Sequence, residues 1–160
     1  MEIFTDLPQT DMVLVPVGGG GLVAGIAAAA HAIYPHCRIA GVQPEASPAA
    51  LLSLRDGIAH DPYDHEPTLA DGLAGGFGAV PFVLARDKID QIWLAKEAEL
   101  RHAIFTLLHQ EQLVVEASGA IAIVPLLTGQ LNVTGRTVVC VLTGGNLDTA
   151  VLQAVLAEFN

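Results

Sequence analysis

Four consecutive glycines, Gly18, Gly19, Gly20 and Gly21, separate two segments of opposite character and constrain the fold more than any other feature. The segment before them, residues 12–17, is a short apolar run, as in a buried strand. The alanine-rich residues 22–34 after them have the composition of a helix. The glycines, here called the first glycine turn, therefore connect a strand to a helix. Because they lack Cβ atoms, they permit positive φ values and a close approach to the backbone.

The first glycine turn has two possible roles. Its N–H groups, together with the positive end of the helix that follows, favour an anion and most often a phosphate. Alternatively, the glycines serve only to let the helix pack closely on the sheet. Four glycines exceed what close packing needs, so we expect the phosphate role.

The charge of the chain limits its partners. The chain has seven Lys and Arg residues and 17 Asp and Glu residues, which gives a formal net charge of −10. Nucleic acids and anionic membranes require a basic surface, so we exclude both as partners. An anionic ligand must then be held by backbone dipoles. The hydrophobic content of 52% fits parallel strands covered on both faces, since Gly, Pro or charged residues interrupt every apolar stretch before it could span a membrane.

The cysteines and the amino terminus predict a cytoplasmic protein. Cys37 and Cys140 are far apart and lie in apolar contexts, as expected for buried thiols in a reducing compartment. Residues 1–6 lack the basic start and the apolar core of a signal peptide.

Strand and helix patterns alternate along the chain, which predicts an α/β fold. The sequence predicts one domain over residues 1–160, built as three layers with helices on both faces of a parallel sheet. Further strands are predicted at residues 38–43, 89–94 and 137–142, the last being the strongest. Helices are predicted at residues 48–55, 81–88, 96–112, 118–127 and 147–159. Ser47 is the expected N-cap of the helix at residues 48–55, with Pro48 at its first position.

Two of the predicted strands end in glycine turns, which should face one site at the carboxyl edge of the sheet. The second glycine turn, residues 143–146, reads Thr-Gly-Gly-Asn. Thr143 could simply finish a strand, and Asn146 could cap the last helix. A hydroxyl and a carboxamide beside a phosphate turn are nevertheless less easily explained by structure alone.

Glycine-rich turns between a strand and a helix also occur in two common nucleotide-binding motifs. A P-loop is excluded, because Leu22 and Val23 stand where Lys and Ser or Thr are needed. The pattern from Gly19 to Ala24 formally fits a dinucleotide fingerprint, with Glu45 near the place of the ribose-binding acid. That spacing is common by chance in a chain with 16 glycines, and a Rossmann-type nucleotide-binding unit remains an alternative.

Four motifs together resemble a known family. Pro-Val-Gly-Gly-Gly-Gly-Leu at residues 16–22, Thr-Leu-Ala-Asp-Gly at 68–72, Val-Glu-Ala-Ser-Gly-Ala at 115–120 and Leu-Thr-Gly-Gly-Asn-Leu-Asp at 142–148 occur in this order. Their order and spacing are similar to those of pyridoxal-phosphate enzymes of the tryptophan-synthase-β fold. The resemblance is greatest to threonine ammonia-lyases, with serine dehydratases and serine racemases nearby. It implies that the chain corresponds to most of the large domain, in the carboxyl-terminal half of such an enzyme.

The resemblance implies a role for several residues. It assigns residues 18–21 to the phosphate of pyridoxal 5′-phosphate and the hydroxyl of Thr143 to the pyridine nitrogen. Glu116 matches an acid near the cofactor, although an exposed carboxylate at a strand end is an equally good interpretation. Asp71 and Gly72 match a turn near the cleft, and a purely structural Asp-Gly turn is as good an explanation.

The resemblance also shows what this sequence lacks. In the family, a lysine near the amino terminus binds the cofactor as a Schiff base, but the only lysines here are Lys88 and Lys96, outside that sequence context. We therefore expect no catalytic residue in this chain and no β-elimination by the chain alone. A non-catalytic module that binds phosphate or associates with itself is the alternative function. We expect a homodimer, or association with a missing amino-terminal half, while the complete enzyme would act on a small amino acid.

No metal site is expected. Some relatives hold a divalent cation through acidic residues that correspond to Gln43 and a position near Ala49, and both residues are non-acidic here. His60 and His65 lie among acidic residues in the long loop at residues 56–78. A solvated acidic loop is a better explanation of that cluster than a metal site.

Overall fold

The computed structural model describes residues 2–159, which form an α/β fold with four strands. The strands are β1 (Met12–Pro16), β2 (Arg38–Pro44), β3 (Gln91–Ala95) and β4 (Val138–Cys140). The longer helices are α2 (Gly21–Ile33), α3 (Ala49–Asp56), α4 (Ala79–Ala85), α5 (Glu97–Glu111) and α8 (Thr149–Phe159). The shorter ones are α1 (Glu2–Asp6), α6 (Ala117–Ala120) and α7 (Val124–Leu127), with 3₁₀ turns at Asp71–Leu73 and Ile121–Ile123.

All pairings in the sheet are parallel, and the strand order is β3-β2-β1-β4. Met12 of β1 stands opposite Arg38 of β2 on one side and Val138 of β4 on the other. Every residue of β1 is buried, as the uninterrupted apolar sequence predicts for a strand covered on both faces. The parallel α/β architecture predicted from the sequence is confirmed.

Each face of the sheet carries its own apolar core. Leu14 of β1 belongs to the core formed with α5, α6, α7 and α8, whereas Val13 and Val15 belong to the core formed with α2, α3 and α4. Alternate residues of one strand thus serve opposite faces, which follows from the period of two in a strand. Helices on both faces make the three layers that the sequence predicts.

Strand β4, at the edge of the sheet, is shorter than the strand predicted at residues 137–142, because Pro16 of its neighbour β1 ends the pairing. Its ladder with β1 includes bonds from Met12 N to Thr137 O (3.3 Å) and from Val141 N to Leu14 O (2.9 Å). The next bond would need an N–H on Pro16, and proline has none. Pairing therefore ends there, and the chain is free to leave the sheet at the second glycine turn.

The helix predicted at residues 118–127 is broken into α6, a 3₁₀ turn and α7. Pro125 lacks the N–H that would bond to the carbonyl of Ile121, so a regular α-helix cannot run through this segment.

The predicted cap at Ser47 is wrong, and the alternative of a cap at Asn146 is not observed either. The hydroxyl of Ser47 does not cap α3, because it exchanges hydrogen bonds with Gly75 in the long loop. Asn146 does not cap the last helix, which begins later, at Thr149. There the carboxylate of Asp148 accepts a hydrogen bond from the N–H of Ala150 at 2.7 Å.

Within residues 2–159, no helix combines the length and apolarity needed to cross a membrane.

Candidate functional site

The first glycine turn and Thr143 line one cavity at the carboxyl edge of the sheet. The cavity has a volume of about 230 Å³, and its other lining residues are Pro16, Leu22, Gly72 and Leu73. Three of the four motifs singled out in the sequence thus contribute to one concave site, although they are more than 40 residues apart in the chain. This is the place where parallel α/β sheets bind ligands.

The first glycine turn presents a row of free N–H groups. The first hydrogen bond of α2 runs from Ala24 N to Gly20 O at 3.0 Å. Over residues 2–159, none of the six N–H groups from Gly18 to Val23 donates a hydrogen bond. These donors lie at the positive end of a helix of 13 residues. Together they favour an anion, and phosphate has the oxygen acceptors that can use several N–H groups at once.

The four glycines of this turn differ in what they do. A Cβ on Gly18 would lie 2.9 Å from Leu73 Cα, and Gly20 has a φ of +92° with Phe77 packed against it. Close packing therefore explains these two. A Cβ on Gly19 or Gly21 would meet no atom within 4 Å, so packing does not account for them. Both are exposed and leave the backbone open to a ligand.

The segment at residues 68–72, which lines the cavity through Gly72, is held in place by hydrogen bonds to two side chains. Glu97, at the start of α5, accepts hydrogen bonds from the hydroxyl of Thr68 (2.5 Å) and the N–H of Leu69 (2.9 Å). The N–H of Gly72 donates to the buried hydroxyl of Ser118 at 3.2 Å. These contacts fix the Asp-Gly turn against α6 and α5. No pattern in the sequence indicates these contacts of Ser118 and Glu97, although Ser118 lies inside one of the four motifs.

The second glycine turn is held by Glu116. Its carboxylate accepts a hydrogen bond from Asn146 N at 3.1 Å, and its own N–H donates to Gly144 O at 3.3 Å. Gly144 has a φ of +75° and no side chain, which leaves room for the carboxylate beside it. Glu116 lines a neighbouring cavity of about 240 Å³ together with Thr68, Leu69 and Asp71, and it does not line the cavity of the first glycine turn.

Thr143, the first residue of the second glycine turn, has a free hydroxyl. Its side chain is half-buried, and within the part of the chain that the structure describes its hydroxyl makes no hydrogen bond. The carbonyl of Thr143 packs against Gly119 of α6. Helix α6 thus supports the Asp-Gly turn through Ser118 and the second glycine turn through Glu116 and Gly119.

Neither lysine approaches this cavity. Lys88 precedes β3 at the opposite edge of the sheet, where its ammonium donates to Leu84 O at 2.8 Å. Lys96 follows β3, which is two strands away from β1, and its side chain is exposed. The structure therefore offers no lysine to react with a ligand held at the first glycine turn.

The residues considered for a metal have other partners. The side chain of Gln43 is fully buried and makes three hydrogen bonds to backbone groups. In the long loop, His60 contacts Asp56 at 2.8 Å, whereas His65 contacts the carbonyl of Glu66 at 3.0 Å. Hydrogen bonds from Arg55 and then from His60 lower the pKa of Asp56 to about 2. Among residues 2–159, no three His, Cys, Asp or Glu side chains gather in a metal-binding group.

Comparison with known proteins gives one consistent family. A family model described as pyridoxal-phosphate dependent enzyme matches residues 1–144. The L-threonine ammonia-lyase of Geobacter sulfurreducens is 42% identical over 159 residues, which cover 98% of this chain and 39% of that protein. The L-threonine ammonia-lyase of Thermotoga maritima is 38% identical over 157 residues, with the same two coverages.

A solved structure agrees with these relatives. The processed form of threonine deaminase isoform 2 from Solanum lycopersicum matches with a TM-score of 0.88 and 29% identity, covering 99% of this chain and 47% of that one. The chain therefore spans less than half the length of these proteins.

Proposed function

The chain belongs to the family of pyridoxal-phosphate dependent enzymes, and from this premise we propose that the first glycine turn holds the phosphate of pyridoxal 5′-phosphate. The observation that carries the proposal is the row of six free N–H groups from Gly18 to Val23 beside an open cavity. Because the chain is strongly acidic, these backbone donors are its best means of attracting a doubly charged phosphate.

Thr143 is the proposed partner of the pyridine nitrogen. It lies on the same cavity as the first glycine turn, and its hydroxyl is free to form a hydrogen bond. When bound, pyridoxal phosphate supplies an electron sink for negative charge at the Cα of an amino acid. A neutral hydroxyl leaves the ring nitrogen less protonated than a carboxylate would. Glu116 would contribute indirectly, by holding the second glycine turn in place.

The proposed activity of the complete protein is the β-elimination of threonine or serine to a 2-oxo acid and ammonia. The support comes from two relatives that are L-threonine ammonia-lyases, which this chain matches over 98% of its own length. The chain by itself offers no lysine near the cavity, so we propose that it is not catalytic alone. The missing covalent anchor must then come from another polypeptide segment.

The proposed partner is an amino-terminal half of the same fold or a second copy of this chain. Apolar surface that a partner could cover is present on α4, where Val80, Val83 and Leu84 are exposed. Strand β4 is also half-exposed, although its sequence is apolar. The two free thiols are compatible with the cytoplasm as the proposed location.

Phosphate recognition can be tested without any covalent chemistry. Pyridoxine 5′-phosphate lacks the aldehyde and cannot react with Lys88 or Lys96, and pyridoxine lacks the phosphate as well. We expect the chain to bind the first compound and not the second, with inorganic phosphate as a competitor. Equal binding of the two compounds, or no binding of either, would overturn the proposal.

The proposed dependence on a second segment is tested by activity. The purified chain should release no ammonia from threonine or serine in the presence of pyridoxal 5′-phosphate. Activity of the chain alone would show that the proposal of a non-catalytic chain is wrong. Activity that arises only on mixing with a separately expressed amino-terminal half would support a split enzyme.

A further inference from the structure

Buried polar side chains are concentrated around α3. Gln43, Ser47 and Ser53 are all fully inaccessible to solvent. A buried polar group is tolerated only when it is hydrogen-bonded, so the partners of these residues show what each of them holds. The partners of Gln43 and Ser47 lie on backbone segments that lead to the first glycine turn.

Gln43 connects the start of α3 to the residue that precedes the turn. Its side-chain N–H₂ donates to the carbonyl of Val17 at 3.2 Å. Its side-chain oxygen accepts hydrogen bonds from Ala50 N (3.0 Å) and Leu51 N (3.1 Å). These two N–H groups lie in the first turn of α3 and have no acceptor within the helix. One carboxamide therefore fixes the position of Val17, and with it the entry to Gly18, relative to a helix.

Ser47, just before α3, is also connected to the first glycine turn, through the long loop. The hydroxyl of Ser47 accepts from Gly75 N (3.0 Å) and donates to Gly75 O (3.3 Å). Three residues further along, the N–H of Gly78 donates to the carbonyl of Gly19 at 3.2 Å. The first glycine turn is thus restrained at its start through Gln43 and at its middle through the long loop.

We propose that Gln43 is a positioning residue for the first glycine turn. It does not touch the cavity and acts through the carbonyl of Val17, so that the N–H groups that follow keep a common direction. The proposal rests on the phosphate-binding function proposed above and adds to it the residue that holds the binding turn in place. The alternative is that Gln43 only stabilises the start of α3.

Two substitutions at Gln43 separate these roles. In Gln43→Glu, measured at a pH high enough to keep the buried carboxyl ionised, the carboxylate still accepts from Ala50 and Leu51. The carboxylate cannot donate to Val17, so only the bond that leads to the turn is lost. Gln43→Met removes both kinds of bond while filling a similar volume. The matched control is Gln110→Glu, which makes the same chemical change on the exposed surface of α5.

The experiment records the amide signals of the ¹⁵N-labelled chain by NMR, first alone and then during titration with inorganic phosphate. A chelator is present so that no cation bridges the new carboxylate and the carbonyl of Val17. In Gln43→Glu, the amide signals of residues 18–21 should move, while the amides of Ala50 and Leu51 should keep the protection from hydrogen exchange that their bonds to residue 43 provide. Phosphate affinity should fall about two- to tenfold, the effect of one lost hydrogen bond. Gln110→Glu should match the wild type.

The outcomes distinguish this inference from the proposed function. If the wild-type chain binds no phosphate, the proposed function fails, and the signals of residues 18–21 without ligand still decide the role of Gln43. If Gln43→Glu leaves both these signals and the affinity unchanged, Gln43 is not a positioning residue. If Gln43→Glu does not fold, unchanged signals of residues 18–21 and unchanged phosphate affinity in Gln43→Met would likewise show that Gln43 is not a positioning residue.

Discussion

The carbonyl oxygen of Thr143 occupies the space in which a side chain on Gly119 would begin. This contact joins the second glycine turn to α6, so a side chain at residue 119 would have to displace the backbone of Thr143. We expect Gly119→Ala to lower the free energy of unfolding by at least about 1–3 kcal/mol, the usual cost of overpacking. Urea denaturation measures this.

The control for that substitution is Gly25→Ala. Gly25 is exposed in the interior of α2, and a Cβ there would meet no atom within 4 Å. Alanine should therefore stabilise the chain by about 0.5–1 kcal/mol, because it loses less conformational entropy on folding than glycine. A Gly119→Ala variant as stable as the wild type would show that the contact with Thr143 is not tight in solution.

Within the first glycine turn, Gly20→Ala should lower stability, whereas Gly19→Ala should weaken phosphate binding. Gly20 has a positive φ and no room beside Phe77, so alanine there should cost about 1–3 kcal/mol of unfolding free energy. Gly19→Ala should leave stability nearly unchanged but weaken phosphate binding, because its methyl group would project toward the open cavity. Denaturation and phosphate titration on both variants test the contrast, and unweakened binding in Gly19→Ala would contradict it.

Thr143→Val tests the free hydroxyl, because valine keeps the β-branched shape. Since that hydroxyl has no partner in the described part of the chain, unfolding should change by no more than about 0.5 kcal/mol. Binding of pyridoxine 5′-phosphate should weaken. The comparison is Thr128→Val, which removes a hydrogen bond to Val124 O (2.9 Å) far from the cavity. That variant should lose stability but not affinity, and the reverse pattern would contradict the role of Thr143.

Alkaline pH should destabilise the chain through Cys140. Burial raises the pKa of this thiol from its ordinary value of 9.0 to about 11. The folded state therefore favours the neutral thiol, and this contribution to stability is complete below pH 9 and is lost as the pH rises toward 11. The difference in unfolding free energy between the wild type and Cys140→Ser should shrink across that interval. A difference independent of pH would show that folding does not remove enough water from the thiol to raise its pKa.

The edge position of β4 predicts a contrast between two proline substitutions. The ladder with β1 uses odd-numbered residues of this segment, Thr137 and Val141 among them, so the N–H of Cys140 points away from β1. Cys140→Pro should therefore cost much less stability than Val139→Pro, which removes a ladder bond. Circular dichroism and urea denaturation give the comparison, and equal losses would place the free edge elsewhere.

The order of strands and helices could be predicted because each depends on a local pattern. The apolar run in β1, the alanine-rich α2 and the glycines between them require only neighbours in sequence. The periodic apolar residues of α5 likewise defined that helix to within one residue at each end. The approach of Thr143 to the first glycine turn was also predictable, since the carboxyl ends of parallel strands share one edge.

The remaining features depend on contacts between distant segments, which no local pattern reveals. The sequence predicts a long β4, but Pro16, on another strand, ends its pairing. Ser47 looks like a helix cap, but it bonds to Gly75, and Gln43 shows no sign of its bond to Val17. The resemblance predicts Glu116 near the cofactor, but no local pattern reveals that its carboxylate also holds the second glycine turn. That role depends on the space left by Gly144.

Strand β4 joins the sheet only through β1, and the contact between Asp11 and Thr137 that begins this pairing spans 126 residues. During synthesis on a ribosome, β1 and the first glycine turn emerge long before β4 and Thr143. The nascent chain therefore carries the row of amide donors early, but it cannot close the cavity until β4 and Thr143 have been translated. Ligand capture should thus be a late event, and nascent chains stalled before residue 137 should be unable to retain the ligand.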